Sequence, residues 1–276
     1  MDTRGTAMAS IADQDAQSAA GEPAAVFQMC ENRECTGQGD LLDSSAQDIN
    51  VSFFCPAYLD QDNLERVVLR GLRTLEKHAG ACEWLIVDDG SPDRTGSVAD
   101  ALAAQHARVE ALHHDANRGH GAALKTGLAA ARGRWVGFCD GDDQYDPRDI
   151  DLLLLHCELA DVIIGRRIHY PNGPVRAVFS AIMNAALRWL FGAPYRDLGC
   201  AFKMFRREAL PVVQARSSGI FTQCEMVLRA HRAGLRVAEA PVPAYPRTAG
   251  QSTSLRPRNI LGLMGDILLL FREFYL

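Results

Sequence analysis

The sequence predicts an α/β fold built on a mostly parallel sheet with helices on both faces, and three observations predict it. From residue 51 to residue 139, apolar runs of strand length alternate with segments of helical period. The strand-like runs end in prolines, glycines and carboxylates rather than in two-residue hairpin turns, so each is expected to return through a helix. The chain has 276 residues, 47% hydrophobic and 23% charged, which is enough apolar material for one large core.

Residues 1–48 are rich in Ala, Ser, Gln, Asp and Gly with no period of 2 or 3.6, and are expected to form a disordered acidic tail. Cys30 and Cys35 form a C-x4-C pair inside it, but no second ligand pair follows, and an unstructured segment outweighs a zinc site. Order is expected from about Asp48. INVSFFCPAY is β-rich and ends in a proline, as a buried strand entering a loop does. Asn63 to His78 sets Leu64, Val67, Val68, Gly71, Leu72 and Leu75 at helical spacing. Trp84 to Val87 is a second strand, and Ser91, Pro92 and Asp93 can open a helix that runs to His106. Val109 to His113 is a short strand, Gly119 to Ala131 a glycine-opened helix, and Trp135 to Cys139 a strand leading into DGDDQYDP. Asp149 to Leu159 is expected to be helical, Asp161 to Gly165 a strand, Val175 to Phe191 an amphipathic helix, Phe202 to Phe205 a strand, Glu225 to Ala233 a helix and Val237 to Pro243 a strand. Residues 49–255 thus read as one domain and 256–276 as a C-terminal amphipathic helix.

The net charge of −5 argues against a nucleic-acid partner, but it is unevenly spread. Residues 1–50 hold 2 basic and 9 acidic side chains, residues 51–150 hold 11 and 16, and residues 151–276 hold 16 and 9. The apolar run Ile260 to Phe271 is broken by Asp266 and falls short of the roughly 20 residues that a membrane span takes. With no basic region followed by an apolar run at the N-terminus, and with eight scattered cysteines read as reduced core thiols, the expected location is cytoplasmic.

Two carboxylate clusters follow strands, Asp88-Asp89 after Leu85 to Val87 and Asp140, Asp142 and Asp143 after Val136 to Cys139. In a parallel sheet both stand outside the carboxyl ends of the strands, where such sheets bind ligands. Like charges held together cost stability unless a cation or hydrogen-bonding ligand compensates them. An Asp-x-Asp on a tight turn suits a divalent, oxygen-preferring ion shared with a diphosphate. A solvated acidic loop is the plain alternative, and two clusters in one frame weaken it. No GxxxxGK[ST] is present, and NRGHGAALKTG does not follow the first strand as a dinucleotide fingerprint must. A nucleotide-sugar enzyme remains, in which a metal neutralises the diphosphate leaving group.

Six motifs follow in order: CPAYLD, VDDGSPDRT, NRGHGAALKTG, DGDDQYDP, DLGCAFKMFRR and EAPVPAYPRTAGQSTS. On these, residues 50 to 255 resemble inverting family 2 glycosyltransferases of the GT-A fold, whose sheet is Rossmann-like, and within them the polyprenol-phosphate branch typified by dolichol-phosphate mannose synthase. The resemblance implies that Pro56, Ala57, Tyr58 and Asp60 line a nucleotide pocket and that Asp88 or Asp89 holds the base. It further implies that Gly141 and Lys125 lie on the donor side, and that Asp140 and Asp142, with Gln144 as a further ligand, face the diphosphate and a Mg²⁺ or Mn²⁺ ion. Leu59 and Asp60 stand where the family has Asn and Glu, so the carboxylate sits on a shorter arm.

The acceptor decides whether a base is needed. A hydroxyl must lose a proton as it attacks, whereas a lipid monophosphate is already anionic and calls for positive charge. The basic C-terminal half favours the phosphate. By resemblance, Arg166 or Arg167, Arg176 with Ser180 one helical turn away, and Arg247 in a loop over the donor hold the acceptor phosphate. The plain alternative makes Arg176 the polar face of an amphipathic helix. Asp197 is then a catalytic base if the acceptor is a hydroxyl, or an orienting residue for Lys203 and nearby arginines if it is a phosphate. The expected partners are a GDP- or UDP-sugar and a polyprenyl phosphate. The 175–191 helix reads equally as core or as lying at a membrane interface, and the C-terminal helix as a membrane-surface helix, a dimer contact or a lid, which leaves open a peripheral contact at the inner face of the cytoplasmic membrane. The rivals are a hydroxyl acceptor on the same fold and a non-catalytic nucleotide-sugar binding protein.

Overall fold

The computed structural model of the chain describes residues 50–169, 173–246 and 257–276. The expected tail, Cys30 and Cys35, Arg247 and Gln251 to Ser254 lie outside them. At the centre of the sheet is β1 (Val51–Ala57), flanked by β2 (Cys82–Asp88) and β4 (Trp135–Phe138), both parallel to it. β3 (Val109–His113) runs parallel outside β2. Beyond β4 come β6 (Lys203–Arg206), β5 (Val162–Arg167) and β7 (Val237–Val242), giving the order β3-β2-β1-β4-β6-β5-β7. Only β6 is reversed, antiparallel to both β4 and β5. Its reversal has a consequence for the site. Lys203, the first residue of β6, lies opposite Phe138 and Ile164, so the loop before it sits at the same edge as the carboxyl ends of the parallel strands.

The alternation of β1 sends Phe53 to one face and Phe54 to the other. Phe53 joins a core with α1 (Leu64–His78), α2 (Thr95–Gln105) and the short α4 (Ile150–Leu154). Phe54 joins a second core with α3 (His120–Ala130), α5 (Pro174–Phe191), α6 (Thr222–Arg232) and α7 (Pro257–Tyr275). Gly127 of α3 lies directly on the Phe54 ring, so this helix approaches the sheet at a distance that no Cβ would allow. The helix expected over Asp149 to Leu159 is shorter. A 3-10 turn, Pro147–Asp149, is opened by the Asp146 carboxylate accepting from the Arg148 amide, and α4 follows it. After Leu154 the amides of His156, Cys157 and Leu159 bond three residues back, the tighter winding that turns the chain into β5.

α7 docks on the second core through Leu263, Ile267, Leu270 and Phe274, and Phe191 at the end of α5 packs against Phe271, Phe274 and Tyr275. Arg229 of α6 fixes the helix by pairing with Glu273 at 2.8 Å. Among the described residues no helix is long and apolar enough to cross a membrane.

Candidate active site

Three strand ends meet at the carboxyl edge. β1 leads into Tyr58, Leu59 and Asp60, where the Asp60 carboxylate accepts from the Tyr58 amide at 3.0 Å and the Asp60 amide donates to Thr95 Oγ1 at 3.0 Å. Leu59 is left-handed, with φ of 61°, and its amide donates to Ser91 Oγ. Gly141 closes onto this turn. Its amide donates to the Pro56 carbonyl, and its α-carbon faces Asp60 Oδ2, Pro56 O and the Ala57 side chain so closely that a Cβ would lie 3.3 Å from both oxygens. Residues 56–60 and 140–142, expected from sequence to share a pocket, are therefore in contact.

The acidic turn sorts its own carboxylates. Asp143, also left-handed at φ 61°, is paired with Arg66 at 2.9 Å and Arg70 at 3.7 Å, and Asp146 with Arg148 and Arg70. These two are structural anchors that hold the turn to α1. Asp142 is buried and accepts from both the backbone and side-chain amides of Gln144. Asp140, its side chain 30% exposed, faces His120 Nδ1 at 3.9 Å. The donor set of Asp140, Asp142 and Gln144 is all oxygen, which suits Mg²⁺ or Mn²⁺. Among the described residues no group of three or more His, Cys, Asp or Glu forms a metal cage, so a cation here would draw further ligands from a diphosphate.

Asp88 and Asp89 are both buried and face different neighbours. Asp88 accepts from the Ser91 amide on one oxygen, and its other oxygen lies 3.2 Å from His113 Nδ1. Although burial lowers the His113 pKa, hydrogen bonds to Asp88 and Asp100 outweigh it and raise the value above its usual range. Asp89 accepts from the amides of Arg118 and Gly119 at 2.9 and 2.8 Å and from His114. Those amides open α3, whose first residue, His120, sits beside Asp140. Desolvation pushes the His120 pKa down to about 4, against the pull of Asp142 and Asp89. The sequence reading attached no role to these three histidines, because a single histidine near glycines carries no signal until its partners are placed. Lys125 donates to the Arg216 carbonyl at 3.3 Å.

Of the acceptor-phosphate candidates, Arg166 and Arg167 end β5, and Ser180 of α5 meets Arg167. Arg167 grips Asp197 with Nε and Nη2 at 2.7 Å each, and its Nη2 also reaches Ser180 Oγ at 3.3 Å. The Arg167 amide adds a third bond to Asp197. Burial raises the Asp197 pKa, but the Arg167 guanidinium overrides it and holds the carboxyl below the usual range, so it is ionised at neutral pH. Arg176, Ser180 and Asn184 follow one another a turn apart on α5, and Asn184 accepts from the Leu198 amide at 2.9 Å, an anchor that the sequence reading did not find. Glu239 of β7 accepts from the amides of Arg196 and Asp197. The fully buried Lys203 donates to the carbonyls of Leu198 and Cys200. The DLGCAFK element is thus a folded turn whose function in the structure is to present Asp197 to Arg167.

Comparison with known proteins shows the family. The family model described as glycosyl transferase family 2 matches residues 52–213. A glycosyltransferase of Haloferax volcanii, AglD, is 34% identical over 236 residues, covering 82% of this chain and 37% of that protein. The polyprenol monophosphomannose synthase of Mycolicibacterium smegmatis is 32% identical over 211 residues, covering 71% of this chain and 78% of the other. The chain therefore spans little more than a third of the first relative's length and most of the second's. Among solved structures, the glucosyl-3-phosphoglycerate synthase of Mycobacterium tuberculosis, crystallised with Mn²⁺, uridine diphosphate and phosphoglyceric acid, matches with a TM-score of 0.62 at 20% identity, covering 81% of this chain and 78% of that one. That likeness carries the α/β GT-A fold alone. The family match, over more than half of the chain and with its motifs converging on one strand edge, shows that this chain belongs to glycosyl transferase family 2.

Proposed function

We propose that the chain transfers a hexose-type sugar, with inversion, from a GDP- or UDP-sugar to a polyprenyl phosphate. The observation that carries this reading is the Arg167–Asp197 pair. A hydroxyl acceptor needs a base at the reacting centre, yet the Asp197 carboxylate is 1% exposed and grips an arginine with both oxygens. Asp197 serves as an orienting residue, and Arg167, with Arg166, Arg176 and Ser180 nearby, supplies charge and hydrogen bonds for an anionic acceptor. The named relative from Mycolicibacterium smegmatis supports the same acceptor class.

In this reading Pro56, Ala57, Tyr58 and Asp60 line the nucleotide pocket with Asp88, and Gly141 leaves room for the diphosphate. Asp140, Asp142 and Gln144 would hold Mg²⁺ or Mn²⁺, which when bound supplies charge neutralisation to the leaving diphosphate. An acceptor phosphate oxygen attacks the anomeric carbon from the side opposite the diphosphate. The new C–O bond forms as the bond to the β-phosphate oxygen breaks, and the nucleoside diphosphate departs with the electron pair. No proton is removed, which is why the site can dispense with a free base. Arg247, outside the described residues, is a further proposed contact to the acceptor phosphate. Residues 49–255 form the catalytic domain, and the outward faces of α5 and α7 rest peripherally on the membrane that carries the lipid, at its cytoplasmic face.

The test is a transfer assay with purified chain, Mn²⁺, a panel of GDP- and UDP-sugars, and undecaprenyl or dolichyl phosphate in detergent. A lipid-phosphate sugar is expected from one donor, and Arg167→Ala should raise the acceptor KM by about tenfold or more, since charge-assisted hydrogen bonds to a phosphate are lost. Transfer to hydroxyl acceptors in place of the phosphate lipids would overturn the reading.

A further inference from the structure

We infer that His114 is a positioning residue of the donor pocket, a buried link that ties the Asp89 carboxylate to α3 and thereby fixes the turn that brings His120 to Asp140. The inference rests on reading this strand edge as a nucleoside-diphosphate pocket.

His114 lies one residue beyond β3, and its amide donates to the Asp88 carbonyl at 2.9 Å, so the ladder between β2 and β3 carries it behind the acidic strand end. Its side chain is 4% exposed. Nδ1 stands 2.6 Å from Asp89 Oδ1 and Nε2 stands 2.9 Å from Thr126 Oγ1, in the second turn of α3. A carboxylate oxygen accepts, so Nδ1 donates to Asp89, and Nε2 shares a hydrogen bond with the threonine hydroxyl. The ring thus bridges β2 and α3. The bond to Asp89 is buried and the one to Thr126 partly so.

What this bridge holds is the entrance of α3. Asp89 takes the amides of Arg118 and Gly119, the residue before the N-cap of α3 and the N-cap itself, whose amide has no partner inside the helix. Gly119 is left-handed at φ 93°, and the next residue is His120, 3.9 Å from Asp140. On the other side of the turn Gly90, at φ 66°, lies against the backbone of Ala116 and Asn117 with no room for a Cβ. Rotation of Asp89 would therefore shift both the helix start and the group facing the acidic turn. A histidine that merely fills the core would need neither polar partner, and a leucine would serve as well.

The experiment uses the full chain with Mn²⁺, measuring Kd for GDP and for UDP by titration calorimetry alongside Tm. Expected is a loss of about tenfold or more in affinity for His114→Leu, in line with removing an outer partner of the carboxylate that orients the site turn. His114→Asn keeps a donor at the Nδ1 position and should recover affinity to within a few fold. Thr126→Val, which removes only the outer bond, should fall between them with little change in Tm. Unchanged affinity in a folded His114→Leu overturns the inference, and so does unchanged affinity in Thr126→Val if His114→Leu does not fold. If neither nucleotide binds the unmodified chain, the reading of the pocket itself fails, and this inference with it.

Discussion

Leu59 shows at the scale of one residue how this chain departs from its family. The motif it belongs to has an asparagine at that position, and the backbone there is left-handed at φ 61°. Asparagine and glycine enter that region readily, whereas a leucine places its Cβ against its own carbonyl, at a cost of about 1–2 kcal/mol. Leu59 is 48% exposed, so it recovers little of that cost by burial. The strain is held by the Leu59 amide on Ser91 and the Asp60 amide on Thr95. Leu59→Asn should therefore raise stability by about 1 kcal/mol, seen as a rise of about 2–4 °C in Tm by calorimetry. A Tm that stays put or falls would show that the side chain is held by packing rather than strained. The sequence alone marked position 59 as unusual, but the sign of φ that makes it costly belongs to the turn and not to the residue.

The elements were legible to very different degrees. The helices and parallel strands up to residue 139 follow from period alone, because each buries one stripe or face against the sheet. The direction of β6 does not follow. Four residues, Lys203–Arg206, carry no directional pattern, and it is the Asp197–Cys200 turn, held by Asn184, Glu239 and Lys203, that reverses them. α7 is legible as amphipathic, but which of its sides packs on the domain is not. Its inner row, Leu263, Ile267, Leu270 and Phe274, is docked, yet Leu261, Met264 and Leu268 on other sides stay 71%, 62% and 59% exposed. On α5, Val175, Val178, Ile182 and Trp189 form a second exposed stripe at helical spacing. Two adjacent helices that keep large apolar residues outward after packing fit a bilayer surface, where each buried side chain contributes and flanking arginines meet anionic head groups. Replacing Trp189, Leu261 and Leu268 together by Glu should abolish sedimentation with anionic vesicles while leaving Tm and nucleotide affinity unchanged. Equal sedimentation by the triple variant would remove these helices from the membrane contact. Leu270→Ala, one row away, should instead destabilise the fold by about 2–5 kcal/mol and leave vesicle binding by the folded fraction intact.

Across the whole molecule the sheet divides its duties between its two edges. At the carboxyl edge stand Asp140 and Asp142, the proposed ligands of a cation. At the amino edge the buried carboxylate, Glu83, is satisfied by protein alone. It accepts from Ser52, from the Arg132 amide and from the Arg132 guanidinium, while Ser52 Oγ accepts from the Gly133 amide, so one side chain ties β1, β2 and the approach to β4. Its partners lie 31 and 49 positions away in sequence, which is why the latch leaves no local motif. Burial alone would raise the Glu83 pKa, but the bonds to Arg132 and Ser52 prevail and lower it. A carboxyl whose folded pKa is depressed contributes stability that is present above its unfolded value of about 4.3 and is lost as pH falls through the folded one. Glu83→Gln removes the charge without changing shape and should cost about 2 kcal/mol at pH 7, less than a fully enclosed pair because Arg132 is 63% exposed. As pH falls from the unfolded value of about 4.3 through the lower folded one, the unmodified carboxyl loses its advantage over the amide, so the Tm difference between the two proteins should shrink toward zero. Nucleotide affinity should not change, since the latch stands at the edge away from the site. A Tm difference that is the same at pH 7 and at pH 3.5 would mean that Glu83 acts by shape and not by charge, and would remove the electrostatic account of the amino edge.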